Sequence, residues 1–337
     1  MRFDKLERND PRVVWAKAPV RGKTYHYMRA DPDDGPPLAI IFLLHGFPDL
    51  AFGWRCRILF LKSSAYQVIA PDMLGFGKTS AYALRSAAED IKELAKSIVK
   101  DKKIILGGIF SIGTPFTPPS STFRSLDDAP QSKRPKNQRY QLQFRGTALE
   151  EEIKDREQVG QFLNAMFGGV GAGGQAGFDP ARGVLFKNLP QLRPPPFLSG
   201  NELDYYVSQY FRDGQPSLKQ ALNWYRTGAH NYLDELRLLP KPIKFSMPTL
   251  FVAATRDEAI SGVMLEGMDQ YFEDLTCAEV EGSRSALWES PEDRRENCRM
   301  AGKEERSIRC TNHFILFPQL DDAEKSKVVH WPSSYPP

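Results

Sequence analysis

Cysteine is scarce in this chain. The four that occur, Cys56, Cys277, Cys298 and Cys310, lie far apart, with no C-x-x-C pair among them. That spacing argues against a disulfide framework and against a structural zinc site. Long apolar runs are missing too. The longest, Pro37 to Leu44, is far too short to cross a bilayer, and the charged start from Met1 to Asp10 has no apolar segment of the secretory kind. A cytoplasmic protein without a membrane span is therefore expected. Neither sign of charge dominates: the net charge is +3 at pH 7, too small for a nucleic-acid surface. No basic tract is interleaved with aromatics, so no nucleic-acid partner is expected.

What is present is globular. The 337 residues are 41% hydrophobic and 11% aromatic, enough for one large core or for two domains. Tyr25 to Ala30 and Leu38 to Leu44 are rich in β-formers and are split by the turn cluster Asp31 to Pro37, which predicts strand, turn, strand. The second run is apolar on consecutive residues, as a strand buried on both faces would be. Trp54 to Ser63 predicts a helix and Gln67 to Ala70 a strand. Ala87 to Val99 places Ile91, Leu94, Ala95 and Ile98 at helical spacing. Alternating strand and helix predict an α/β architecture, a mostly parallel sheet flanked by helices.

The character changes after Pro115. Thr117 to Asn137 is polar and carries Pro118, Pro119, Pro130 and Pro135, as a linker would. Helical spacing follows over Tyr140 to Phe167, Glu202 to Arg212 and Leu218 to Thr227. The glycine run from Gly168 to Gly174 lacks the preceding strand and the Lys-Ser/Thr pair of a phosphate loop, and reads as a flexible loop. Sheet character returns at Met247 to Ala254. The boundaries this implies are a core in two parts, 1–116 and 247–293, a helical cap over 117–246, and an irregular tail over 294–337.

Two motifs sit at the ends of the predicted strands. In His45-Gly46-Phe47-Pro48-Asp49 the glycine allows a sharp turn and the proline fixes the next bend. Such a turn can aim main-chain N–H groups at a developing oxyanion. His45 reads as a structural histidine at the base of this loop. In Pro71-Asp72-Met73-Leu74-Gly75-Phe76-Gly77, Asp72 reads as a loop-shaping hydrogen-bond acceptor.

The first motif, extended to Arg55, and the second resemble those of α/β-hydrolases of the soluble epoxide hydrolase type. So do Arg139 to Phe144, Asn223 to Arg226, Pro248 to Asp257 and Glu281 to Glu289. The resemblance implies an α/β-hydrolase fold with an inserted cap, a small-molecule epoxide as substrate, and water addition to give a diol without cofactor or metal. It implies that Tyr140 and Tyr225 point into the pocket and protonate the epoxide oxygen, as a phenol can. It assigns Asp257 as the acid that orients a histidine base.

Two parts of the family pattern are absent. Lys103 to Gly108 resembles the fifth strand and its approach to the nucleophile elbow, yet Ile109 to Pro115 already resembles the strand that follows. No nucleophile is found, and one central strand–helix unit is missing. Aligned on Ala286-Leu287-Trp288, the base falls on Arg284, which stays protonated and can instead pair with Asp257. Ser111 has Ile109 where an elbow needs a small residue, and it reads as part of a strand. His230, His313 and His330 have no motif around them. A segment skipped near Gly108 and a frame change after about Asp293 would account for both departures. Two further readings stay open. One is a non-catalytic homologue that binds a small molecule. The other is ester hydrolysis, against which the two tyrosines argue.

Overall fold

The computed structural model describes residues 4–80, 87–99, 106–123, 125, 136–259, 265–283, 285–289 and 299–300. Its first sheet begins earlier than the sequence predicts. Strand β1 (Val14–Val20) pairs antiparallel with β2 (Lys23–Ala30) through a two-residue connection. Arg21 and Gly22 both take positive φ there, 49° and 76°. That is the backbone of the hairpin turn whose twist matches its strands. The apolar, fully buried β4 (Gln67–Pro71) lies between β2 and the short β3 (Ile40–Phe42), antiparallel to the first and parallel to the second.

A second sheet is built from the far part of the chain. Here β5 (Ile109–Ile112) runs parallel to β6 (Thr249–Ala254), which runs parallel to β7 (Leu275–Val280). Arg299–Met300, in the segment read as a tail, adds β8 antiparallel to β7. The remainder of that segment lies outside the described residues.

The expected α/β architecture of sheet and flanking helices is present, with parallel pairs at β3–β4, β5–β6 and β6–β7 and antiparallel pairs at β1, β2 and β8. Ile109–Ile112 is a strand, as expected, and pairs with β6; among the described residues no strand pairs with the other edge of β3 or of β5. Eight of the described strands form two four-stranded sheets, in the orders β1-β2-β4-β3 and β8-β7-β6-β5, and the rest form three two-stranded ladders between β5 and β6. The two halves still share a core: Trp54 meets Phe110 edge-on at 6.1 Å, and Phe110 and Ile112 pack on the cluster containing Val68 and Ala70.

Helices cover the first sheet. A 3-10 turn, Ala51–Trp54, leads into α1 (Arg55–Ser63), and α2 (Ala87–Val99) packs its Leu94 against Val20 and Tyr25. Asp90 fixes that helix to β2, accepting from Lys23 Nζ at 2.7 Å and from the Tyr25 hydroxyl at 3.1 Å.

Between β5 and β6 the described chain is mainly helical, interrupted by three short two-stranded ladders. The stretch read as continuous from Tyr140 is three helices, α3 (Tyr140–Arg145), α4 (Ala148–Glu152) and α5 (Arg156–Met166). Extended backbone at Gly146 and Ile153 breaks it, and Asp155 restarts it in a capping box with Gln158. Then come α6 (Gly200–Tyr210), opened by a capping box of Ser199 and Glu202, α7 (Leu218–Arg226) and α8 (Gly228–Glu235). The glycine run is a hydrogen-bonded turn rather than a loose loop, with Gly171 N–H donating to Gln175 O and Gly174 N–H to Gly171 O. At Gly169 a Cβ would lie 2.4 Å from Asn164 Oδ1, so only glycine fits that approach. A last short helix, α9 (Ala286–Glu289), follows β7. Among the described residues no helix is long and apolar enough to cross a membrane.

Candidate functional site

The turn after β3 is held from three sides. Asp49 N–H donates to Gly46 O at 2.9 Å and closes it. Met73 N–H donates to His45 Nε2 at 2.9 Å, and the other ring nitrogen faces Gly46 O at 3.0 Å. With Nε2 accepting, the imidazole proton sits on Nδ1. His45 thus pins the turn to the loop after β4, a structural task that leaves neither nitrogen for substrate. Asp72 has the acceptor role read from its motif: Oδ1 takes the Ala51 N–H at 3.0 Å and Oδ2 faces His26 Nδ1 at 3.2 Å.

Tyr140 begins α3 and Tyr225 lies near the end of α7. Their ring centroids are 6.1 Å apart. Phe144 touches both, at 5.2 and 5.1 Å, and Phe47 from the turn after β3 lies 5.6 Å from Tyr225. The structure therefore gathers the two tyrosines and the turn into one aromatic cluster. The neighbours of Tyr225 set its position. Trp224 Nε1 donates to Leu74 O at 3.0 Å, and Arg226 donates to Arg145 O at 3.0 Å, to Gly146 O at 2.6 Å and to Glu150 at 2.7 Å. These bonds tie one end of α7 to the sheet half and to the end of α3.

Asp257 follows β6 and is buried, its Oδ1 accepting from Ala259 N–H at 2.9 Å. A Cβ on Gly113, just past β5, would sit 3.6 Å from Asp257 Oδ2. Asn137 Nδ2 donates to Ala259 O at 2.8 Å and brings the approach to Tyr140 onto the same loop. Arg256 N–H donates to Gly282 O at 2.8 Å, so the segment after β7 meets the Asp257 loop. Arg284 itself lies outside the described residues, and so does its pairing with Asp257. Ser111 is a residue of β5, and its hydroxyl donates to Thr114 O at 2.5 Å.

Sequence reasoning passed over a buried polar seam beside the turn. Arg55 is fully buried. Its Nε donates to Glu202 Oε1 at 2.5 Å, and its guanidinium lies 4.3 Å from the Trp288 ring centroid. Trp288 Nε1 in turn donates to Gly53 O at 2.8 Å. The Tyr206 hydroxyl donates to Asp49 Oδ1 at 2.6 Å, and Tyr210 to Pro48 O at 2.9 Å. The one available signal was the spacing of Glu202, Tyr206 and Tyr210, four residues apart on a helix.

Two surface hollows, of about 450 and 300 Å³, are lined by residues such as Arg156, Gly160 and Val207, and Arg12, Leu59 and Lys62. Neither touches Tyr140, Tyr225 or Asp257. Among the described residues no group of three or more His, Cys, Asp or Glu could hold a metal ion.

Comparison with known proteins accounts for this layout. Epoxide hydrolase srdG of Neurospora crassa is 33% identical over 331 residues, which span 86% of this chain and 95% of that protein. Since 86% of 337 residues is fewer than 331, the relative carries positions with no counterpart here. Epoxide hydrolase A of Mycobacterium tuberculosis is 26% identical over 255 residues, 67% of this chain and 78% of that one. The crystal structure of epoxide hydrolase VrEH1 from Vigna radiata superposes with a TM-score of 0.62 at 20% identity, covering 84% of this chain and 95% of that chain. This likeness is one of fold. Residues 41–296 match the model of the alpha/beta hydrolase family, and the chain belongs to that family, with epoxide hydrolases among its relatives.

Proposed function

We propose that the chain is built for opening a small-molecule epoxide to a vicinal diol, and that its own turnover is impaired. The observation that carries the first part is the Tyr140–Tyr225 pair, 6.1 Å between ring centroids, with Phe47 of the turn against it. A pair of phenols suits an alkoxide, which takes a proton as the ring opens. Impairment follows from chemistry. The ester route needs an aspartate to attack carbon and a base to activate water. The sequence has no elbow aspartate after Gly108 and has Arg284 at the base position. Loss of an internal segment would also leave β3 and β5 with one unpaired edge each, and among the described residues no strand pairs there.

The test uses styrene oxide as probe in ¹⁸O-labelled water, with the diol followed by mass spectrometry. The chain as it stands is expected to form none above the uncatalysed rate. A restored chain, with a Gly-x-Asp-x-Gly strand–helix unit after Gly108 and Arg284→His, is expected to form it. Equal turnover by both would overturn the impairment. A folded restored chain that makes no diol would overturn the epoxide reading. Saturable binding of the probe without turnover in both would favour a non-catalytic small-molecule-binding homologue. Sequencing the transcript across codons 106–113 and 280–337 shows whether such a unit and a histidine codon exist in the working message.

A further inference from the structure

One face of α6 meets the turn after β3 at every fourth residue. Glu202 bonds Arg55, Tyr206 bonds Asp49 and Tyr210 bonds the carbonyl of Pro48. All three α6 side chains are buried, at 3%, 0% and 2% exposure, so each polar atom must find its partner within the protein. Each has a partner in the segment 48–55, which carries the turn into α1, and Glu202 accepts besides from Lys5 and from Ser199.

Aromatic packing alone does not require this. A stripe of phenylalanines would fill the same space, whereas here each hydroxyl meets an acceptor of the turn. The donors are fixed as donors. Burial, and then the nearby Asp49 carboxyl, push both phenols well above their ordinary range, so they stay protonated. Pro48 has no N–H, and its carbonyl accepts from Tyr210 in α6.

We propose that Tyr206 and Tyr210 are positioning residues for the turn His45–Leu50. They act through two hydroxyl hydrogen bonds that lock the turn to α6 while α3 and α7 carry the tyrosine pair. The contact stands whether or not the chain turns over an epoxide. Only the naming of the turn as an oxyanion-binding element rests on the function proposed above.

The test is amide hydrogen exchange by mass spectrometry on the full chain and on Tyr206→Phe, Tyr210→Phe and the double variant. Each substitution keeps the ring and removes only the hydroxyl. The amides of Asp49, Leu50, Ala51 and Gly53, all hydrogen-bonded within or next to the turn, are the reporters. Those of the β1–β2 hairpin are the control. The expected result is exchange roughly tenfold faster over residues 46–53 in each single variant, more in the double, with the hairpin unchanged. Acceleration spread evenly over turn and hairpin would mean general destabilisation and overturn the proposal. So would an unchanged turn, or a wild type whose turn amides are already unprotected. None of these readings involves turnover, so a failed diol assay leaves the outcome distinct.

Discussion

The hydroxyl of Tyr206 lies 2.6 Å from Asp49 Oδ1, joining two residues 157 positions apart across the seam between α6 and the first sheet. The carboxyl also takes the Leu50 N–H on the same oxygen, at 2.7 Å. Burial raises the Asp49 pKa, and the His45 ring and the Tyr206 bond only partly oppose it. A folded pKa above the unfolded value, about 3.9, favours the neutral acid. Its contribution to stability is then fully present below the unfolded pKa and is lost as pH rises through the folded one. Asp49→Asn keeps an acceptor oxygen for both donors and removes the charge. The melting temperature of the variant should exceed that of the wild type at pH 8, and the two should converge near pH 4. A variant that melts lower at both values would show the charged form to be stabilising.

Glu202 behaves in the opposite sense. Burial would raise its pKa, but Arg55, Lys5 and Ser199 together hold it at about 2, below its ordinary value of 4.5. Stability from this group is present above 4.5 and is lost as pH falls toward 2, so acid unfolding should steepen in that window. Glu202→Gln at pH 7 leaves the fully buried Arg55 without its counter-charge and should cost about 3–5 kcal/mol in urea unfolding. The exposed Arg156–Asp204 pair on the neighbouring surface is the contrast. Arg156→Ala there should cost about 0–1 kcal/mol, because solvent already screens the pair.

Much of the first sheet was legible because apolar runs and turn clusters mark its strands, although the run Leu38–Leu44, expected to be buried on both faces, is a half-buried strand of only three residues, Ile40–Phe42. Gln67–Pro71 is buried along its whole length, and Ala87–Val99 is a helix over the residues its spacing indicated. The strand Val14–Val20 was not legible, since Ala16, Lys17, Ala18 and Pro19 do not read as β-formers and the hairpin with β2 supplies the ladder. Leu275–Val280 was missed for a similar reason: Thr276, Cys277 and Glu279 give it no long apolar run, and pairing with β6 decides its conformation. The loop-shaping roles of His45 and Asp72 could be read because each lies in a contiguous motif, and Tyr140 and Tyr225, also in contiguous motifs, share one aromatic cluster. Tyr206 and Tyr210 could not be read, because a helical stripe of aromatics reads as packing and their partners are remote in sequence.

Arg226 supports the tyrosine pair by bonding to three backbone and side-chain groups of α3 and α4. Its Nη2 donates to Gly146 O at 2.6 Å and to Glu150 at 2.7 Å, while Nε donates to Arg145 O at 3.0 Å. Arg226→Ala leaves those acceptors half-buried and should cost about 1–3 kcal/mol in urea unfolding. Arg226→Lys should recover only part of that, because one ammonium cannot span acceptors arranged for a planar guanidinium. Full recovery by lysine would mean that charge alone matters there, and the geometric role of Arg226 beside Tyr225 would fall.

The divided sheet makes its own prediction. Open strand edges with apolar side chains nearby are templates for pairing with another chain. Leu38 and Leu44 flank β3 at 61% and 43% exposure, and Leu106 precedes β5 at 58%. Among the described residues, no strand covers either edge. Light scattering of the chain should therefore rise with concentration, and Leu38→Lys with Leu44→Lys should lower it by placing charge along the β3 edge. Inserting a strand–helix unit after Gly108 should lower it as well, by pairing β3 and β5 through the inserted strand. If charge works and the insertion does not, the association comes from the exposed leucines and not from unpaired backbone. If neither works, the adhesive surface lies away from the gap, and the edges of β3 and β5 are already protected.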